Sequence, residues 1–292
     1  MFPKSLLLSL CLCAFSCQLK KTSDEFTSIF NGKNFDGWQY YLGVPDSSSK
    51  IDGLAKDSNG LYSEPVGFNE KDPTKVFSVV TVDGAPALRI SGEIIGTFGT
   101  VEEYENYHLT LEFKWGNIKW QWLGFRPKDG GILYHWTRKG VHEFQIHEGD
   151  VGSYWSFGPI VKSYAIKQGN EYVFNHEKGV KTIFSNQKGG NQICLRNPVA
   201  EKPSGEWNTL ELICFEDKAI HIVNGKVNMA IFDSKVMENG NEISFTKGKI
   251  QLQSEGAEIL FRNIHIRKLE KLPKEYEKYV SAGDDGYIDA GH

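Results

Sequence analysis

Glu143, Gln145 and His147 stand at alternate positions of the stretch 141–148, VHEFQIHE, with His142, Phe144 and Ile146 between them. Successive side chains of a strand point to opposite faces, so residues two apart share one. One face then carries a carboxylate, an amide and an imidazole, and the other carries Phe144 and Ile146. A merely solvated face would be served equally by Lys, Thr and Ser. This set suits the floor of a polar site, where a carboxylate or an imidazole moves a proton and an amide orients a ligand.

More candidate groups crowd the same region. His135 stands in GGILYHW, just before this stretch, and with Glu143 and His147 it could ligate a divalent cation or act as base and orienter. Five of the seven tryptophans lie between residues 115 and 155, accompanied by Tyr134 and Tyr154. Trp115 alternates with Phe113 and belongs to the core. Trp120, Trp122 and Trp155 lie in loop-like sequence, where flat apolar faces with a polar handle suit a sugar ring. No Ser-His-Asp arrangement, phosphate-binding glycine loop or dinucleotide fingerprint is present.

The elements that must position these groups have a period of two. YHLTLEFKW alternates Leu109, Leu111, Phe113 and Trp115 against polar partners, and GKIQLQS sets Ile250 and Leu252 on one face. AIHIVNGKVNMAIF places Asn224-Gly225 between two apolar arms, a strong hairpin signal. Helical periodicity is confined to EKLPKEYEKYV in the tail. Many short alternating strands with Gly and Asn turns predict an all-β sandwich or jelly roll of antiparallel sheets. Residues 43–60 are polar and turn-rich and are expected to form a surface loop. The final SAGDDGYIDAGH is expected to be a weakly ordered terminus.

The net charge of −4 gives no electrostatic reason to expect nucleic acid or an anionic membrane surface. A neutral or small partner fits better. Residues 1–16, MFPKSLLLSLCLCAFS, combine a short basic n-region with an apolar run too short to span a bilayer, so they are expected to be a signal peptide. Ser16-Cys17 resembles the end of a bacterial lipoprotein signal, with Cys17 as the lipidated residue and a lipid anchor as the membrane contact; ordinary signal-peptidase cleavage is the alternative. Either way the mature protein is exported. Residues 17–25 then serve as a tether, 26–270 as the folded domain and 271–292 as a tail. Cys194 and Cys214 are left in the folded part, as buried free thiols ahead of a disulfide.

Two resemblances sharpen the chemistry. Glu143, Gln145 and Glu148 form E-x-Q-x-x-E, which is similar to the E-x-D-x-x-E of laminarinase-type retaining glycosidases. Their mechanism needs two carboxyl groups about 5–5.5 Å apart. Residues five apart in a regular strand point to opposite faces, so a β-bulge would be required, and Gln145 stands where those enzymes have Asp.

The longer resemblance runs from about Phe26 to Leu269. FTSIFNGKNFDGWQYYLG, DGGILYHW, HEFQIHEGD, GEWNTLELICFEDKAIHIVNGKVNM and KGKIQLQSEGAEILFRNIHIRKL resemble successive segments of the 3-keto-disaccharide hydrolase domains. Gln251, Gln253 and Glu255 match the family pattern, as do Glu143 and Gln145. The resemblance implies a concanavalin-like β-jelly roll, exported, acting on a small keto-sugar or oligosaccharide. It implies removal of the C2 proton of a 3-keto-glycoside and elimination of the group at C1, with hydration completing net hydrolysis. Glu143 or His135 would be the base. Gln145, His147 and Arg138 would orient the substrate or hold a divalent cation. A non-catalytic sugar-binding lipoprotein and a laminarinase-type glycosidase are the competing expectations.

Overall fold

The computed structural model describes residues 25–69, 72–187, 190–281 and the backbone of 287–289. The expected leader, Cys17 and nearly all of the tether lie outside the described residues. Two sheets form a β-jelly roll sandwich. The larger sheet is centred on the long strands Tyr107–Lys119, Asn208–Phe215, Lys218–Val223, Lys226–Glu238 and Ala257–Lys268. The smaller runs, in spatial order, through Ile193–Cys194, Tyr154–Phe157, Gly140–Gln145, Gly131–Thr137, Lys249–Ser254, Gly96–Thr100, Trp38–Leu42 and Gly67–Phe68. Every neighbouring pair in the smaller sheet is antiparallel.

The predicted alternation decides which side of each strand is buried. Phe144, Ile132, Leu252, Tyr154 and Phe98 of the smaller sheet meet Leu109, Phe113, Leu212 and Ile220 of the larger in one apolar core. Each large apolar side chain removed from water there contributes on the order of 1.5–3 kcal/mol. The hairpin at Asn224-Gly225 forms between Lys218–Val223 and Lys226–Glu238. Both turn residues have positive φ, 48° and 76°, a conformation that Asn and Gly tolerate best.

The helix expected in the tail forms, while 282–286 and 290–292 of the terminus expected to be weakly ordered lie outside the described residues. The helix Lys274–Val280 buries Val280 and sets Tyr279 against His176, with ring centroids 4.4 Å apart. The backbone of Tyr287–Asp289 pairs in parallel with Val180–Phe184 of the larger sheet. Cys194 and Cys214 are both buried free thiols.

Candidate active site

The strand Gly140–Gln145 lies inside the smaller sheet, between Gly131–Thr137 and Tyr154–Phe157. Its inward side is structural. Phe144 stacks on His221 at 4.1 Å, while the His142 ring bonds the Tyr154 hydroxyl through Nδ1 at 2.8 Å and the Ser234 hydroxyl through Nε2 at 2.9 Å. Glu143 and Gln145 point the other way, onto the outer face of the sheet.

A groove of about 340 Å³ lies over that face. Glu143, Gln145 and His147 line it, together with Asp129 before the strand Gly131–Thr137 and Gln253 and Glu255 at the end of Lys249–Ser254. Asp150, Trp155 and Phe157 complete the wall. The sheet register explains the convergence. Glu143 pairs with Trp155 on one side and Leu133 on the other, and Leu133 pairs with Gln251. Gly131 pairs with Gln145, one step from the Ile132–Leu252 pair, so it sits between Gln145 and Gln253. A Cβ at Gly131 would overlap both the Gln253 Oε1 and the Glu143 Oε1 atoms. The bare backbone there lets these two side chains lie across the strand.

The carboxyl groups are not equivalent. Gln145 Nε2 donates to Asp129 Oδ1 at 2.6 Å, and the Gly130 amide donates to the same oxygen at 2.9 Å. Asp150 is held by Arg196 at 2.8 Å and by the Ser153 hydroxyl at 2.6 Å. Gln253 Nε2 donates to Glu255 Oε1 at 3.2 Å, and its amide lies beside the Glu143 carboxyl over Gly131. Glu143 is only 3% exposed. Burial, then the Glu255 and Asp129 charges, push its carboxyl well above the ordinary range. Burial and Asp129 push Glu255 up to about 7, opposed by the Arg126 guanidinium. Burial also raises Asp129 and Asp150, offset at Asp129 by His147 and at Asp150 by the Ser153 bond and Arg196. Several carboxyls facing one groove cannot all ionise together, so protons are retained near neutral pH.

The aromatic wall is a pair of parallel plates. Trp155 and Phe157 have ring centroids 6.2 Å apart and planes within 12°. Phe157 is 39% exposed, and the buried Trp155 Nε1 has no acceptor in the protein. A donor beside an open apolar plate fits a polyhydroxylated ring.

Several expected site residues lie elsewhere. His135 faces the interior: pairing slips between Tyr134 and Thr137, His135 takes a φ of 53°, and its ring turns toward Tyr107, His142 and Phe245. Gly248 packs so closely on the His135 backbone that a Cβ would overlap it. His135, Glu143 and His147 therefore do not form a metal set, and among the described residues no group of three or more His, Cys, Asp or Glu side chains is arranged to hold a metal ion. Tyr134 is buried with its hydroxyl on His221 Nε2 at 3.0 Å. Trp120 and Trp122 anchor a loop, donating to the Ser91 and Glu93 carbonyls at 2.9 and 3.2 Å. Arg138 is exposed on the turn after Thr137 and does not line the groove. Glu148 does not line it either, so the laminarinase-like Glu143–Glu148 pair is not assembled.

Asp129, Asp150 and Glu255 are groove carboxyls, and Phe157 a groove aromatic, that the sequence did not mark as catalytic or binding residues. The signal was present in QLQSE, where Gln251, Gln253 and Glu255 alternate as Glu143, Gln145 and His147 do.

A jelly roll with an acidic, aromatic-walled groove on one sheet is suited to carbohydrate chemistry, and family membership supports that class. The family model described as the 3-keto-alpha-glucoside-1,2-lyase-like domain matches residues 25–267, and the chain belongs to that family. Among solved structures it is similar to a glycosyl hydrolase candidate from Parabacteroides distasonis, with 18% identity and a TM-score of 0.44, covering 84% of this chain and 94% of that one. It is also similar to the carbohydrate binding module CBM66 from Bacillus subtilis, with 9% identity, a TM-score of 0.39, and 66% and 92% of the two chains covered. A comparison with curated proteins gives no match.

Proposed function

We propose that the protein cleaves 3-keto-glycosides by elimination, with Glu143 at the centre of the proton transfers. The observation that carries this reading is the buried Glu143 carboxyl, which lines one groove with Gln253, Glu255 and the Trp155–Phe157 plates. A ketone at C3 acidifies the C2 proton, because the carbanion delocalises into an enolate. Loss of that proton expels the oxygen at C1. The chemistry needs a proton acceptor, a proton donor and polar groups around the enolate. Carboxyls of different protonation state in one groove supply the first two, and the Gln145 and Gln253 amides are placed to orient hydroxyls. His147, on the groove wall, is a further polar contact for the sugar. Hydration of the product would complete net hydrolysis. On the reading of residues 1–17 as a lipoprotein signal, the enzyme acts in the cell envelope.

The test is product formation from a 3-keto-glucoside and from its unoxidised parent, each with and without a chelator. Cleavage of the keto form alone is expected. Cleavage of the parent as well would replace elimination with direct hydrolysis. Saturable binding without a product would favour a sugar-binding protein. Chelator sensitivity would require a cation that the side chains here do not by themselves specify.

A further inference from the structure

We propose that Glu255 is the general base that removes the C2 proton and that Glu143 is the acid that protonates the departing oxygen. This rests on the elimination reading above and assigns its two proton transfers to separate residues.

The two carboxyls enter the groove from different strands and meet different charges. Glu143 is almost fully enclosed, and the charges that reach it, from Glu255 and Asp129, are both negative. Its surroundings therefore retain its proton, which makes it a donor. Glu255 follows the end of Lys249–Ser254 and is only partly enclosed; burial and Asp129 favour its protonated form, but unlike Glu143 it also meets a cation, Arg126, that opposes them. Its carboxyl is poised at about 7, where a base is half available and still strong enough to take a proton. Gln253 bonds Glu255 and lies beside Glu143 over Gly131, so its amide links the two carboxyls across the groove floor. Its buried Oε1 has no partner in the protein. Asp129 and Asp150 are less suited to the base role, since Gln145 and the Gly130 amide engage the first and Arg196 and Ser153 the second.

The step balances without any further reagent. The Glu255 carboxylate takes the proton from C2, the C2–H electrons form the C1=C2 bond, and the C1–O bond breaks. The leaving oxygen takes the Glu143 proton. Glu255 ends protonated and Glu143 ionised, and proton exchange with solvent or the hydration step restores both.

The two transfers can be read separately. The 3-keto derivative of 1,5-anhydroglucitol has no leaving group at C1, so in deuterium oxide it reports only C2 proton removal, followed by NMR. The wild type is expected to exchange C2 deuterium and to cleave a 3-keto-glucoside. Glu255→Gln should lose both by about 10²-fold or more. Glu143→Gln should keep C2 exchange within a few-fold, lose cleavage of an alkyl 3-keto-glucoside by about 10²-fold, and recover cleavage with a nitrophenyl aglycone, which leaves without an acid. Glu255→Ala should regain exchange on addition of formate, which a folding defect would not. Exchange that survives in Glu255→Gln, or is lost in Glu143→Gln, would overturn the assignment while leaving elimination standing. A wild type that neither exchanges nor cleaves would sink both.

Discussion

Glu143 and Trp155 are register partners on adjacent antiparallel strands, so a buried carboxyl and an indole plate emerge side by side on one face of the smaller sheet. This pairing sets proton-transfer chemistry directly against a surface on which a ring can lie. Phe157 extends the plate by one more alternation of the same strand.

The plate has a measurable consequence for binding. Removing either ring by Trp155→Ala or Phe157→Ala should raise KM for a keto-disaccharide by about three- to tenfold, as expected for an aromatic contact of about 0.5–1.5 kcal/mol. Steady-state kinetics on a keto-disaccharide and on its methyl glycoside check this. Equal effects on both substrates would place the plate under the keto-sugar itself, and no effect on either would remove it from the site.

Gly131 tests how tightly the floor is built. Gly131→Ala puts a methyl group where Glu143 Oε1 and Gln253 Oε1 now lie. Activity should fall by about tenfold or more as these groups are displaced by fractions of an ångström to an ångström. The fold should persist, because only side chains on the outer face must move. Circular dichroism alongside kinetics separates the two effects; wild-type activity in this variant would mean the two side chains need not lie across the strand.

The pH profile follows from the carboxyl pair. A base must be ionised in the free enzyme, so kcat/KM should climb with pH through about 7, where Glu255 loses its proton, and level off or fall once Glu143 ionises at higher pH. Arg126 and Asp129 act on Glu255 in opposite directions. Arg126→Gln should therefore shift the rising limb to higher pH. A rising limb near pH 4–5 in the wild type would contradict a raised Glu255.

The interior placement of His135 bears on stability. Its ring is buried, both ring nitrogens lack partners, and burial lowers its pKa to about 3. Between pH 6.5 and about 3 the unfolded chain binds a proton there that the native chain does not, so stability falls as pH falls through that window. At pH 5 the loss is about 2 kcal/mol from this residue. His135→Phe should therefore flatten the pH dependence of denaturant midpoints between pH 7 and pH 5. An unchanged dependence would mean that the imidazole is not held neutral. His221, also lowered to about 3, and His142 should continue to destabilise the acid form in that variant.

The sandwich and the Glu143 face were legible because strand alternation is local. VHEFQIHE and GKIQLQS each specify which side chains share a face without knowledge of the partner strand. The interior position of His135 was not legible, because a bulge with positive φ reverses its side and depends on Gly248 of a distant segment. Trp120 and Trp122 looked like ligand-facing loop residues, yet their indole N–H groups close onto carbonyls about thirty residues earlier. The meeting of Glu255 with Glu143 depends on Leu133 pairing with Gln251, a register between strands more than a hundred residues apart. Local patterns supply the faces; long-range register brings the right faces together.

The two sides of the strand Gly140–Gln145 imply different evolutionary fates for adjacent codons. Positions 145 and 147 can be varied to explore new substrates at little risk to the scaffold, whereas 143 is held by its part in proton transfer and 142 and 144 are committed to the interior with Tyr154, Ser234 and His221. Divergence of specificity along this segment should accumulate at every second residue, leaving a skip pattern that a randomised library across 141–147, sorted separately for folding and for turnover, would reproduce in the laboratory.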